Sequence, residues 1–179
     1  MRFTLTIPVA LLVIGVAGAA AAAELPVTNE TSVEEIDQRL FPAEAVAAKE
    51  ECVQLTAKGI KCASIIPTRA AAKVTFRRGS ARLSQPGLAL VRKFGEVLSR
   101  RKGLYSIIVI EGHTDATGTV SVNRKLSQQR AETVRRELLA SYGLEPASVK
   151  AVGKAAESLL DRKDPGAEIN RRIEFGVTW

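Results

Sequence analysis

Residues that can do chemistry crowd around Asp115. "IIVIEGHTDATG", Ile107 to Gly118, runs from an apolar segment into the chain's only histidine, His113, then Asp115 and Thr117, and Arg130 follows in the next helical stretch. A carboxylate can accept hydrogen bonds from an ammonium, and a guanidinium grips a carboxylate through its planar fork. Asp115 and Arg130 together would therefore suit a zwitterionic amino-acid group. They could equally form a structural salt bridge with each other, and Asp115 could be an ordinary turn aspartate. Enzyme chemistry fits less well. His113 has no serine or cysteine nucleophile beside it, one histidine alone builds no metal site, and Asp115 lacks the second carboxylate of a glycosidase. The expectation is a non-catalytic binding site with neither metal nor cofactor.

The elements that must position these groups are legible in the periodicity. "LYSIIVIE" carries consecutive Ile107, Ile108, Val109 and Ile110, the pattern of a central strand covered on both faces. Asp115 lies just past its end, where open α/β sheets place ligand contacts, and Gly112 and Gly118 bracket it. "SVNRKLSQQRAETVRRELLASYG" reads as a helix with Leu126, Val134 and Leu138 on one stripe and Gly143 to end it. Leu126, Arg130 and Val134 are spaced i, i+4, i+8, so Arg130 emerges along the stripe that meets the sheet. Upstream, "KVTF" reads as a strand. "SQPGLALVRKFGEVLSRRKG" reads as a helix capped by Ser84, with Pro86 in its first turn and Leu88, Val91 and Leu98 on one face. "SVKAVG" and "RRIEFGV" supply two more strands, the latter alternating Ile173, Phe175 and Val177 with Glu174 and Gly176. The order predicts an α+β fold, a two-layer α/β sandwich.

The first 23 residues place Arg2 before an apolar run ending in Ala21, Ala22 and Ala23. They read as a secretory signal peptide cut before Glu24, with retention as an anchor the alternative. The mature protein is then expected in the periplasm without a transmembrane domain. Residues 24–71 form an N-terminal extension. It holds a short helix capped by Thr31 or Ser32, with Glu34 and Glu35 in the first turn and a stop at Pro42, followed by an alanine-rich stretch. Cys52 and Cys62, the only cysteines of an exported chain, are expected to form one disulfide. The chain carries a net charge of +7, which favours anionic partners. Aromatic residues are only 4 % of it, so the stacking platforms of a nucleic-acid binder are scarce.

"VTFRRGSARLS", "IIVIEGHTDATG", "NRKLSQQRAETVRREL", "AVGKAAES" and "NRRIEFGV", in that order, resemble the OmpA-like C-terminal domain family over residues 72–179. The resemblance implies a βαβαββ domain with a mixed sheet, no catalysis, and noncovalent binding of peptidoglycan through the diaminopimelate residue of its stem peptide. It implies cell-wall or outer-membrane association. Asp115 matches the family aspartate that contacts the diaminopimelate amino group, and Arg130 the arginine that contacts its carboxylate. Thr117 and Asn123 fall at positions that frame the ligand, and Arg171 at a basic contact on the pocket edge. Two departures stand out. Relatives often carry F-D-F-D-S where this chain has Phe76, Arg77, Arg78, Gly79 and Ser80, and Leu159 replaces a common proline, a change expected to affect only a turn. An alternative is the same fold used as an envelope protein-protein interaction module without peptidoglycan affinity. The N-terminal region is a candidate contact for other envelope proteins.

Overall fold

A computed structural model describes residues 25–62, 64–77 and 80–179. The expected leader, and Arg78 and Gly79, lie outside the described residues. Helix α1 (Val33–Leu40) starts where the Ser32 side chain accepts from the Glu35 amide, and it stops at Phe41, just before Pro42, as its sequence predicts. Its Ile36 and Leu40 are fully buried, so α1 is part of the core and packs on the domain's other elements. Helix α2 (Ala43–Ala57) buries only Ala45. Cys52 on α2 is joined to Cys62, which staples the returning chain to the helix. An open apolar groove of about 560 Å³ lies between α2 and that returning segment.

The strand expected at "KVTF" is displaced upstream. Strand β1 is Thr68–Ala72, whose alanines give no apolar alternation strong enough to flag it. The "KVTF" backbone is instead drawn to the start of helix α3 (Gln85–Arg100): Ser84 donates its amide to the Thr75 carbonyl at 3.1 Å, and the Thr75 and Ser84 hydroxyls meet at 2.5 Å. Val74 is still buried, and Phe76 forms an isolated bridge with Leu83. Ser84 caps α3 as expected, and its buried face centres on Leu90, Val91, Phe94 and Leu98, with Leu88 only half-buried.

Strand β2 (Ile107–His113), helix α4 (Val120–Tyr142), strand β3 (Val149–Ala155) and strand β4 (Ile173–Thr178) complete the domain. The four-stranded sheet has the order β1-β4-β2-β3, with β2 parallel to β3 and the other neighbours antiparallel. This is the expected βαβαββ mixed sheet. One feature of β2 differs from expectation: the strand is central, but apolar cover lies on one face only. Ile108 and Ile110 are fully buried beside Phe175 and Val177, and Phe175 stacks on Phe94 of α3 with centroids 3.9 Å apart. Ile107 and Val109 point to the other face and are half-buried, and that face carries Arg69, Glu111, Lys154 and Glu174.

Helix α4 meets the sheet through a stripe that keeps the expected Val134 and Leu138 but not Leu126. Asn123, Ser127, Ala131, Val134 and Leu138 are buried, whereas Leu126 is half-exposed. Small residues there let the backbones approach. A Cβ on Gly112 would lie 2.2 Å from the Ser127 carbonyl oxygen, and one on its β3 partner Gly153 would lie 2.6 Å from the Gln128 amide nitrogen. Gly143 ends α4 in the left-handed conformation its sequence predicts. None of the described helices is long and apolar enough to cross a membrane.

Candidate ligand-binding site

The loop from His113 to Thr119 is built around Asp115. One carboxylate oxygen, Oδ1, accepts the Thr117 amide at 3.0 Å and the Thr117 hydroxyl. The loop can turn back so tightly because Gly118 adopts φ 85°, a conformation costly for other residues. Asn123, buried in the first turn of α4, donates its Nδ2 to the carbonyls of Thr117 at 2.8 Å and Asp115 at 3.3 Å. Thr117 and Asn123 therefore position the loop backbone and the aspartate.

The other oxygen, Oδ2, accepts from Arg171 Nη1 at 2.7 Å. The bland alternative of an Asp115–Arg130 salt bridge is not what forms: Asp115 pairs with Arg171, which arrives from the far end of the sequence. The loop that delivers Arg171 is organised by Asn170. Its buried side chain bonds the Asp161 amide at 2.9 Å and the carbonyls of Asp161, Asp164 and Pro165. Pro165 in turn accepts from the Ala116 amide at 2.9 Å, tying the two loops together. Asp115 is buried, which opposes its ionisation, but the hydrogen bonds from Thr117 and Arg171 outweigh this and hold it below the usual carboxylate range.

Arg130 is half-buried, and no ion pair of the described residues includes it. Its guanidinium lies over the Phe76 ring, 4.9 Å from the centroid, and its Nε is buried without a hydrogen-bond partner. Burial, and then the positive charge of Arg171, lower its pKa from the ordinary guanidinium value, with Asp115 acting in the opposite sense. Arg130 and Arg171 share the lining of a cavity of about 150 Å³ with Lys73, Phe76 and Glu168. The lining thus carries three cations, Lys73, Arg130 and Arg171, against one carboxylate, Glu168, and Asp115 reaches it only through its bond to Arg171. The imbalance leaves a place for an anion beside Arg130. Of the site residues read from the sequence, Asp115, Thr117 and Asn123 form one bonded group, Arg171 joins it, and Arg130 stands across the cavity. Lys73 and the platform role of Phe76 have no signal in the sequence, because the displaced strand leaves them on a loop.

His113 does not stand in the cavity. It projects to the charged face of the sheet, 2 % exposed, with Glu111 and Glu174 oxygens 3.9 and 3.8 Å from its Nε2 and both ring nitrogens unpaired. Those two carboxylates were not anticipated as its neighbours. The same oxygens already accept from Arg69 at 2.5 Å and from Arg172 Nε at 2.7 Å, so a cation ligated there would have to displace two guanidiniums. Burial, reinforced by Arg172, lowers the His113 pKa from 6.5 to about 4. An unfolded chain binds this proton near pH 6.5 and the folded one only near pH 4, so stability is full above that window and falls as pH drops through it. The expected loss is up to about 3 kcal/mol between pH 7 and pH 4. Urea titrations of wild type and His113→Gln at pH 7.5, 5.5 and 4.5 test this. A wild-type loss no larger than the variant's across that range would refute it.

The sequence profile of the OmpA family matches residues 75–172. The chain belongs to the OmpA family. This OmpA-family chain is 44 % identical over 70 residues to outer membrane porin F of Pseudomonas aeruginosa, a match covering 38 % of the chain and 20 % of the porin. It is 36 % identical over 108 residues to motility protein B of Escherichia coli, covering 57 % of the chain and 34 % of that protein. It is 36 % identical over 76 residues to the peptidoglycan-associated lipoprotein of Pseudomonas aeruginosa, covering 41 % of the chain and 45 % of the lipoprotein. The matches thus span less than half the length of each of these relatives. Solved structures share the OmpA-like fold. The cell wall anchor of the T6SS from Pseudomonas aeruginosa superposes with a TM-score of 0.54 at 22 % identity, covering 78 % of this chain and 98 % of that one. The OmpA-like domain of FopA1 from Francisella tularensis gives 0.52 at 21 % identity, covering 62 % and 71 %.

Proposed function

We propose that this OmpA-family protein binds peptidoglycan noncovalently in the periplasm, through the diaminopimelate residue of the stem peptide, and so links itself to the cell wall. The observation that carries the reading is the charge arrangement at the site: a buried carboxylate, Asp115, bonded to the cavity-lining Arg171, and a half-buried guanidinium, Arg130, that has no anionic partner among the described residues. The side-chain end of diaminopimelate bears an ammonium and a carboxylate on one carbon. Its ammonium takes the Asp115 oxygen that Arg171 holds in the free protein, and its carboxylate enters between Arg130 and the released Arg171. The name of the peptidoglycan-associated relative agrees with this reading. No residue in the site is poised as a nucleophile or a general base, so the proposed action is capture alone.

The test is calorimetric titration with two stem tripeptides that differ only in the third residue, diaminopimelate or lysine. Lysine keeps the ammonium and lacks the carboxylate, which leaves Arg130 unpaired. The expected discrimination is about 2 kcal/mol, roughly 30-fold, in favour of diaminopimelate. Equal affinities would remove the zwitterion from the account, and absence of binding to either would favour the interaction-module alternative.

A further inference from the structure

A second chamber adjoins the cavity. It has a volume of about 330 Å³, and Lys73, Glu168 and Arg171 line both spaces. Its remaining wall comes from the N-terminal segment: Leu25, Pro26 and Thr28, facing Ile169 and Arg172. That wall is fixed. Val27 is fully buried and extends the sheet edge beside Ala72, donating its amide to Ala71 and accepting from the Lys73 amide, both at 2.8 Å. The Leu25 carbonyl is held by Arg39 at 2.8 Å, while the Leu25 side chain stays 76 % exposed.

The chamber's character is specific. Leu25, Pro26 and Ile169 offer apolar surface for a small side chain. Of the cationic residues of its wall, Arg171 is paired with Asp115 and Arg172 with Glu174, so Lys73, whose exposed partner Glu168 lies 3.2 Å away where the two spaces meet, is the cation open to an incoming anion. An occupant with a methyl group and a carboxylate complements both features. We propose that this chamber is a second subsite for the alanine that follows diaminopimelate in the stem peptide, with its methyl against Leu25 and its free terminal carboxylate drawn to Lys73. The inference rests on the diaminopimelate reading of the first cavity, because continuity with it sets which residue arrives. It assigns the segment before α1 a direct part in ligand choice and makes the site selective for stems ending in a free alanine carboxylate.

The experiment uses the protein expressed with its own leader and purified from the periplasm. It is titrated with three ligands: a tripeptide ending at diaminopimelate, the tetrapeptide with a terminal D-alanine, and that tetrapeptide as its C-terminal amide. The tetrapeptide should bind about tenfold tighter than the tripeptide, and amidation should remove most of this gain. Leu25→Ser, at an exposed position that lines only the second chamber, should abolish the tetrapeptide advantage and leave tripeptide affinity within about twofold. A tripeptide that binds with no tetrapeptide advantage overturns the second subsite alone. A tripeptide that loses affinity to the same degree in Leu25→Ser overturns it too, because the chamber then serves the first cavity. Failure of the wild type to bind the tripeptide overturns the underlying reading instead.

Discussion

Replacing Asp115 with alanine is expected to lower the affinity for a diaminopimelate tripeptide by roughly 2 to 4 kcal/mol, as is Arg130→Ala, the range for breaking a desolvated charged hydrogen bond. In dissociation constants this is about 30- to 1000-fold. Both residues are proposed to act on one ligand group, so the double variant should lose less than the sum. Thermal stability gives the complementary readout. In the free protein Asp115 bonds Arg171, Arg130 lies over Phe76, and Arg130 feels the charges of both Asp115 and Arg171, so the two substitutions should couple weakly in melting experiments. Coupling should therefore be larger when ligand is present. Arg171→Ala should cost less affinity than either, because it removes a carboxylate contact and also the group that occupies Asp115. A well-folded Asp115→Ala protein with undiminished affinity would sink the zwitterion receptor.

Gly112→Ala is expected to have the largest effect on stability. The new Cβ would sit 2.2 Å from the Ser127 carbonyl oxygen, and this is backbone in the middle of α4 that no side-chain rotation can move aside. Overpacking of this kind costs about 3 kcal/mol, or roughly 10 °C in melting temperature for a chain of this size. The damage should reach the site. Ser127 and Gln128 lock α4 to β3 through the Ala155 amide at 3.1 Å and the Gly153 amide at 2.6 Å, and Asn123, one turn earlier, clamps the Asp115 loop. Lifting α4 should weaken tripeptide binding in whatever protein stays folded. A melting temperature within two or three degrees of wild type would show that the seat yields, contrary to this account.

These two experiments probe opposite ends of what the residues disclose. Helix α3, with its strong apolar face and Ser84 cap, is legible because burial of large side chains imposes a 3.6-residue period, and α4 is legible from Val134, Leu138 and its Gly143 stop. Strand β1 is hidden because Ala70 and Ala72 fill a shallow space opposite Phe175 and Ile173, and alanine favours neither period. The seat of α4 is hidden for the same reason: close backbone approach selects Gly112, Gly153 and Ser127, residues that carry no apolar signal. The one-sided burial of β2 is masked by Val109 and Ile107, which look like core in the sequence and face a charged surface in the fold. At the site, the loop and helix start around Asp115 are local and therefore readable, and Thr117 and Asn123 follow from the family resemblance. The Asp115–Arg171 bond joins groups 56 residues apart and depends on how Asn170 shapes the returning loop.

Under the proposed reading, that bond makes Arg171 a placeholder. The free receptor is already neutralised from within, so an arriving ammonium gains only the difference between its own contact and the one it evicts. Each engagement is then an exchange of partners and not the filling of a vacancy, which caps the strength of a single grip and lets it reverse without stranding a bare buried carboxylate. On a polymer that repeats the same group many times, a receptor of the proposed kind would let go and catch again nearby.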